Sequence, residues 1–226
     1  MTKNPARIRR FGCLVGNDKK MQQVYAMIEK AAAVDMPTLI VGETGCGKEL
    51  VARELHDRSC RAKGPFVAVN TGSISDELVA SELFGHTKGA FTGAVEEKAG
   101  RLREANNGTI FLDEIGTMDE RMQVTLLRVL DSKQFRPIGA KSDISIDFRL
   151  IAATNEDLEQ AVEEGEFRED LLYRLQVLCV RLPPLRERLS DIPMLCQAFI
   201  ESVNAEYGFH IEGVTDAAIR MLTDYD

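Results

Sequence analysis

Five short runs of the chain are apolar almost from end to end: PTLIVGE (37–43), PFVAVN (65–70), GTIFLDE (108–114), FRLIAATN (148–155) and VLCVRLPPL (177–185). A strand with one wet face alternates polar and apolar residues. These runs do not alternate, so each must be covered on both faces. Helix-like stretches separate them, at Lys48 to Cys60, Asp119 to Leu130 and Asp157 to Glu164. Strands buried on both sides with helices between them specify an α/β fold built on a parallel five-stranded sheet flanked by helices. From Pro183 onward the pattern is helical only. One helix starts after Ser190 or Asp191 and stops at Gly208, and another starts near Thr215 and is still running at Asp226. The expected division is a sheet part over residues 1–182 and a partial helical part over 183–226, within what is expected to be a piece of a longer protein.

Composition narrows the function classes. No run of 18 apolar residues occurs, and the first 30 residues carry Arg7, Arg9 and Arg10 without the apolar stretch of a secretory signal, so a cytoplasmic location is expected. The five cysteines (Cys13, Cys46, Cys60, Cys179, Cys196) are odd in number, far apart and without a CxxC pair, which suits reduced thiols; neither disulfides nor zinc are expected. Net charge is −8, so the chain as a whole repels a phosphate backbone. If the protein acts on DNA, another segment or a partner must hold the DNA.

The stretch VGETGCGKEL follows the first strand and opens a helix. It spans Gly42, Glu43, Thr44, Gly45, Cys46, Gly47, Lys48, Glu49 and Leu50. Glycines let backbone N–H groups close on phosphates, the helix N-terminus adds positive dipole, and Lys48 reaches the β- and γ-phosphates of a nucleotide. Glu49 stands where the general pattern has a Ser or Thr whose hydroxyl sits on Mg2+, so the metal leans on other ligands. The strand TIFLDEI delivers two. Asp113 can hold the shell of Mg2+ through water, and Glu114 can polarise the attacking water as general base. The alternative reading of the pair, taken alone, is that it merely ends a strand and starts a helix. Asn155, at the end of AATN, either bonds the γ-phosphate or the attacking water, or caps the next helix. Asn70, at the end of VAVN, either holds Glu114 or is an ordinary turn residue.

FGHTKGAFTGAV (84–95) poses a different question, because Phe91 sits among glycines, alanines and threonines with no apolar partner at helix or strand spacing. An exposed aromatic on a glycine-hinged loop is costly without a partner to dock into; the alternative is that Phe91 folds back as a local plug. In GEFREDLLYRL, Arg168 and Arg174 follow Glu164 and Asp170 at i,i+4, which on one helix would be surface ion pairs.

GETGCGKE (42–49), SELFGHTKGAFTGA (81–94), FREDLLYRL (167–175) and LPPLRERLSDI (182–192), in this order, resemble the AAA+ ATPase domain of bacterial sigma-54-dependent transcriptional activators, the enhancer-binding proteins. The resemblance covers about residues 12–226. It makes Glu49 after the lysine usual, and Cys46, where the family more often has Thr, a departure. The resemblance implies an AAA+ P-loop fold with a truncated helical lid, ATP and Mg2+ as ligands, and assembly into a hexameric or heptameric ring. It implies that Gly89, Ala90, Phe91, Thr92, Gly93 and Ala94 form a mobile surface loop, projecting from an interrupted helix, that engages the sigma-54 factor. A second insertion at 134–147 is expected to support that loop. It also implies that Arg168 and Arg174 act in trans on the γ-phosphate of a neighbouring subunit. The lid's arginine-bearing segment and a DNA-binding helix-turn-helix do not occur, so the chain alone is expected to be largely monomeric and weakly active. Two other readings stay open: a generic AAA+ remodeller with another protein partner, and a nucleotide-gated interaction module that does not hydrolyse.

Overall fold

The five apolar runs all enter one sheet: β1 (Thr38–Val41), β2 (Phe66–Asn70), β3 (Gly108–Asp113), β4 (Phe148–Thr154) and β5 (Leu178–Arg181). The computed structural model describes residues 10–72, 76–91 and 94–225, and of residues 76 and 77 the backbone alone. The strand order is β5-β1-β4-β3-β2, and every pairing is parallel. All seven residues of the central strand β4 are buried. The edge strands are shorter or wetter than the runs that announced them, and β5 stops at Arg181 because Pro183 and Pro184 follow and a proline has no N–H to give a ladder.

Alternation across the pleat divides the core in two. Ile40, Phe111, Ile151, Ala153 and Val180 face α1 (Lys19–Ala32) and α2 (Lys48–Asp57), meeting Met21, Val24, Ile28, Val51 and Leu55. Leu39, Ile110, Leu112, Leu150 and Ala152 face the other way. They pack among side chains of α3 (Asp76–Phe84), α4 (Arg101–Glu104), α5 (Glu120–Ser132), α6 (Leu158–Glu163) and α7 (Glu169–Leu175). Helix α1 was not singled out from the sequence, although its buried Met21, Val24, Tyr25, Ile28 and Ala32 repeat at helical spacing. Helix α2 ends three residues before Cys60. Beyond the sheet, two short 3-10 turns lead into α8 (Ile192–Tyr207), closed by left-handed Gly208, and α9 (Asp216–Thr223), capped by Thr215. Among the described residues no helix is long and apolar enough to cross a membrane.

One buried cation ties the layers together. Arg149, at the amino end of β4, is 2 % exposed and donates from Nη2 to Ala31 O at 2.8 Å and Thr38 Oγ1 at 3.2 Å. Its charge thus sits at the negative end of α1, where a helix dipole favours a cation.

Register positions the chemistry. Because the strands are parallel, their carboxyl ends share one edge of the sheet: Thr154 lies opposite Val41, and Asn70 opposite Asp113. The segments leaving β1, β2, β3 and β4 therefore emerge side by side, the edge at which open α/β sheets bind ligands.

Candidate nucleotide site and surface loop

Gly42 leaves β1 with its N–H on Thr154 O at 3.1 Å, so the loop starts anchored to the central strand. Gly45 and Gly47 adopt φ of +79° and +103°, which a side chain would resist, and Gly47 is the cap from which α2 starts. Lys48 is buried, with Nζ donating to Gly42 O at 3.0 Å and Glu43 O at 3.2 Å. Its ammonium is held by the loop's own carbonyls. Thr44 is exposed, and Glu43 is gripped by Arg186 at 2.7 Å, which holds its carboxyl below the usual range. Glu49 turns away to Arg53 at 2.9 Å along the surface of α2, and Leu50 is exposed beside it. Burial pushes the half-buried Cys46 thiol above its ordinary pKa.

Asp113 and Glu114 form a braced turn. Asp113 Oδ1 accepts the Glu114 N–H at 3.0 Å, and Glu114 adopts a left-handed backbone, φ 58°, that a non-glycine residue holds only when its surroundings impose it. Those surroundings are two threonines. Thr71 Oγ1 donates to the carbonyls of Asp113 and Glu114, both at 2.8 Å, and Thr117 Oγ1 donates to Glu114 O at 2.8 Å. Asn70 Oδ1 accepts the Gly72 N–H at 2.9 Å, the bond of a turn residue. Asn155 is exposed at the end of β4 and does not cap α6; that cap is Asp157, whose Oδ1 accepts from Glu159 and Gln160. No group of three His, Cys, Asp or Glu that could hold a metal occurs among the described residues. A divalent ion beside Asp113 would take its other ligands from phosphate oxygens and water, which fits the hard, water-retaining Mg2+.

The two arginines pair otherwise than their spacing suggested. Left-handed Gly165 ends the α6 segment, so Glu164 and Arg168 do not share a helix, and Arg168 becomes the cap of α7. It pairs with Asp170 at 2.8 Å, while Arg174 reaches Asp131 of α5 at 2.6 Å. Both guanidinium groups are more than one-third exposed.

The glycine-rich loop rises from the antiparallel pair Gly85–His86 and Lys98–Ala99, between α3 and α4. Gly89 N donates to Ala94 O at 2.8 Å and Ala94 N to Phe91 O at 3.0 Å, so Gly89, Ala90, Phe91 and Ala94 close a tight loop. Thr92 and Gly93 lie outside the described residues. Phe91 is 42 % exposed, and its ring meets that of His86 edge to face. Segment 134–147 packs against the base of this loop, with Thr87 N on Ile138 O at 3.0 Å and Ile138 N on Gly85 O at 2.9 Å.

The model of the family described as "Sigma-54 interaction domain" matches residues 14–181. The chain belongs to that family. The model described as "AAA+ ATPase lid domain" matches residues 186–226, so the AAA+ fold continues into the helical part. This sigma-54 interaction domain is 46% identical over 212 residues to the DNA-binding transcriptional regulator NtrC of Azospirillum brasilense, covering 94% of this chain and 44% of that protein. It is 49% identical over 215 residues to the C4-dicarboxylate transport transcriptional regulatory protein DctD of Pseudomonas aeruginosa, covering 95% and 46%. The chain thus spans less than half the length of these relatives. The structure of NtrX from Brucella abortus in complex with ATP superposes with a TM-score of 0.87 at 38% identity, over 96% of this chain and 49% of that one. A P-loop NTPase domain of an E. coli sigma-54 transport activator shares the fold at a TM-score of 0.51 and 20% identity.

Several supporting residues of the sigma-54 interaction domain escape sequence reasoning. Thr71, Gly72 and Thr117 frame Glu114, and no local pattern in the sequence marks them. Gln123 is buried in α5, where its amide donates to Met118 O and Glu166 O, both at 2.9 Å, and its Oε1 accepts the Arg168 N–H at 2.8 Å. It carries the segment holding both arginines. Arg188 is buried behind the phosphate loop and donates to Cys46 O at 3.2 Å, which gives the LPPLRERLSDI segment a physical task.

Proposed function

We propose that this chain is the ATP-hydrolysing central part of a cytoplasmic transcription activator that, assembled in a ring, converts a closed sigma-54 RNA polymerase promoter complex to the open form. One observation carries the reading: the phosphate loop and the Asp113–Glu114 turn share one carboxyl edge of the sheet, in a chain of the sigma-54 interaction family. Residues 1–182 bind the nucleotide and residues 183–226 contribute to the lid. Gly42 to Leu50 cradle the phosphates of ATP, with the Lys48 ammonium exchanging loop carbonyls for β- and γ-phosphate oxygens. Mg2+ held through water by Asp113 supplies neutralisation of the charge that develops on the phosphates. Glu114 takes the proton of the attacking water, and Asn155 and Asn70 orient the water and the Glu114 carboxylate. Arg168 and Arg174, leaving Asp170 and Asp131, reach the γ-phosphate of the neighbouring subunit. Loss of the γ-phosphate alters the contacts at Asn70 and Asn155, and the loop Gly89 to Ala94 moves against sigma-54 with Phe91 and Thr92 leading.

Trapping tests this. The protein is mixed with sigma-54, ADP and a metal fluoride that mimics the transferring phosphoryl group, and a complex is sought by native gel for wild type and Thr92→Ala. A complex formed by the wild type alone is expected. An ATP-hydrolysing protein that forms none would be a remodeller of some other partner.

A further inference from the structure

His86 has no part in the phosphate chemistry, yet it is nearly buried, at 9 % exposed, directly beneath the one exposed aromatic of the loop. Its Nδ1 shares a hydrogen bond of 2.8 Å with the hydroxyl of Ser81, itself 5 % exposed, one turn before the end of α3. Gripped at that edge, the imidazole cannot swing freely. The Phe91 ring stands on it at 69°, with centroids 5.0 Å apart. That is the edge-to-face arrangement in which two ring quadrupoles attract.

The ground around this pair is firm. Backbone bonds from Thr87 to Ile138 and from Ile138 to Gly85 pin the loop's base to segment 134–147. Gly139, at φ +79°, lets that segment approach so closely that a Cβ there would fall 2.6 Å from Thr87 Oγ1 and 2.8 Å from Ala90 Cβ. Phe91 is different, because its ring meets His86 while 42 % of its surface faces water. One such contact biases a population without locking it.

We propose that His86 is the resting perch of Phe91 and that Ser81 fixes the perch, so that these two residues set how readily the loop releases its aromatic side chain to a partner. The inference rests on the reading of Phe91 as partner-binding. His86 and Ser81 are positioning residues: they act through Phe91 and touch neither nucleotide nor sigma-54. An edge-to-face pair shifts the balance between perched and released forms by about two- to tenfold. Partner capture of Phe91 must overcome that factor.

The chain contains no tryptophan, so Phe91→Trp introduces a single fluorescent reporter at the position in question. Emission maximum and acrylamide quenching are measured for this variant alone and combined with His86→Ala, Ser81→Ala or His86→Phe. The two alanine substitutions are expected to shift emission to the red and raise quenching, and His86→Phe, which keeps a ring for the edge-to-face contact, is expected to restore both. Emission and quenching unmoved by either alanine would overturn the perch. A shift that His86→Phe fails to reverse would also overturn it, marking His86 as mere structural filling. Should His86→Ala not fold, Ser81→Ala carries the measurement. In the natural Phe91 background, His86→Ala is expected to strengthen nucleotide-independent sigma-54 binding two- to tenfold. The tryptophan measurement contains no partner, so failure of the sigma-54 reading leaves it intact, whereas an unmoved tryptophan sinks the perch whatever sigma-54 does.

Discussion

Gly72 offers a way to move Glu114 without touching it. A Cβ on Gly72 would fall 2.1 Å from Glu114 Oε2, 3.3 Å from its Cδ and 3.4 Å from Thr117 Cγ2. The Gly72 backbone is not left-handed, so alanine meets the carboxylate and no backbone strain. To regain an ordinary contact of 3.4 Å from 2.1 Å, the carboxylate must retreat by about 1.3 Å. The far end of a glutamate moves easily, so Gly72→Ala is expected to cost under about 1 kcal/mol of stability and to shift Tm by no more than about 4 °C. Catalysis is less forgiving. A misplacement of about 1 Å in a positioned group costs on the order of 10²-fold, or about 2.7 kcal/mol of barrier. Phosphate release at saturating ATP should therefore fall on the order of 10²-fold in Gly72→Ala, approaching Glu114→Gln, while ADP affinity stays at the wild-type value because the phosphate loop leaves a different strand. Turnover at the wild-type rate would refute the assignment of Glu114 as general base in this position. Loss of ADP binding together with turnover would refute the mechanism of displacement.

Burial raises the Cys46 thiol, so at neutral pH it should react slowly with a bulky maleimide, and once modified it should block ADP binding; full modification with unchanged affinity would show the loop is misplaced. Arg149 is buried with Nε and Nη1 unpartnered among the described residues, so Arg149→Met should change unfolding free energy by less than about 1.5 kcal/mol, whereas Arg149→Ala, which leaves a cavity, should cost about 2–4 kcal/mol; denaturant titration of both variants decides. The guanidinium of Arg61 holds the Asp35 carboxyl below its ordinary value, so its contribution is full above about pH 4 and is lost as pH falls through the lowered folded-state value. Asp35→Asn should accordingly lower Tm at pH 7 by no more than about 4 °C, since Asp35 is partly exposed, and the gap to wild type should close in acid; a gap that persists at about pH 2 would refute the linkage.

The elements legible in advance were those whose signal is local. Five apolar runs announced five strands because a strand covered on both faces cannot alternate, and Gly45, Gly47 and Lys48 marked their loop because left-handed turns and a helix start need those residues in that spacing. Boundaries slipped where a proline or a cap intervened, as at β5 and at α6. Glu164 does not meet Arg168 because i,i+4 arithmetic presumes one unbroken helix and Gly165 breaks it, and on the unbroken α7 Asp170 turns back to Arg168 while Arg174 reaches Asp131 of α5.

Residue types and their spacing along the chain thus determined by themselves a parallel α/β domain with a glycine-rich loop between its first strand and the next helix, an acidic pair on a strand end and a glycine-hinged aromatic. Tertiary structure alone decided that Thr71 and Thr117 would hold Glu114 in a left-handed backbone, that Asp131 would receive Arg174, that Arg149 would be buried at the end of α1 and that Phe91 would stand on His86. The reason is physical. Backbone conformation and burial on both faces are dictated by neighbours within a few residues, whereas the contacts of Thr71, Asp131 and Arg149 join residues tens of positions apart and exist only because the order β5-β1-β4-β3-β2 and the helices packed on it bring them within a few ångströms.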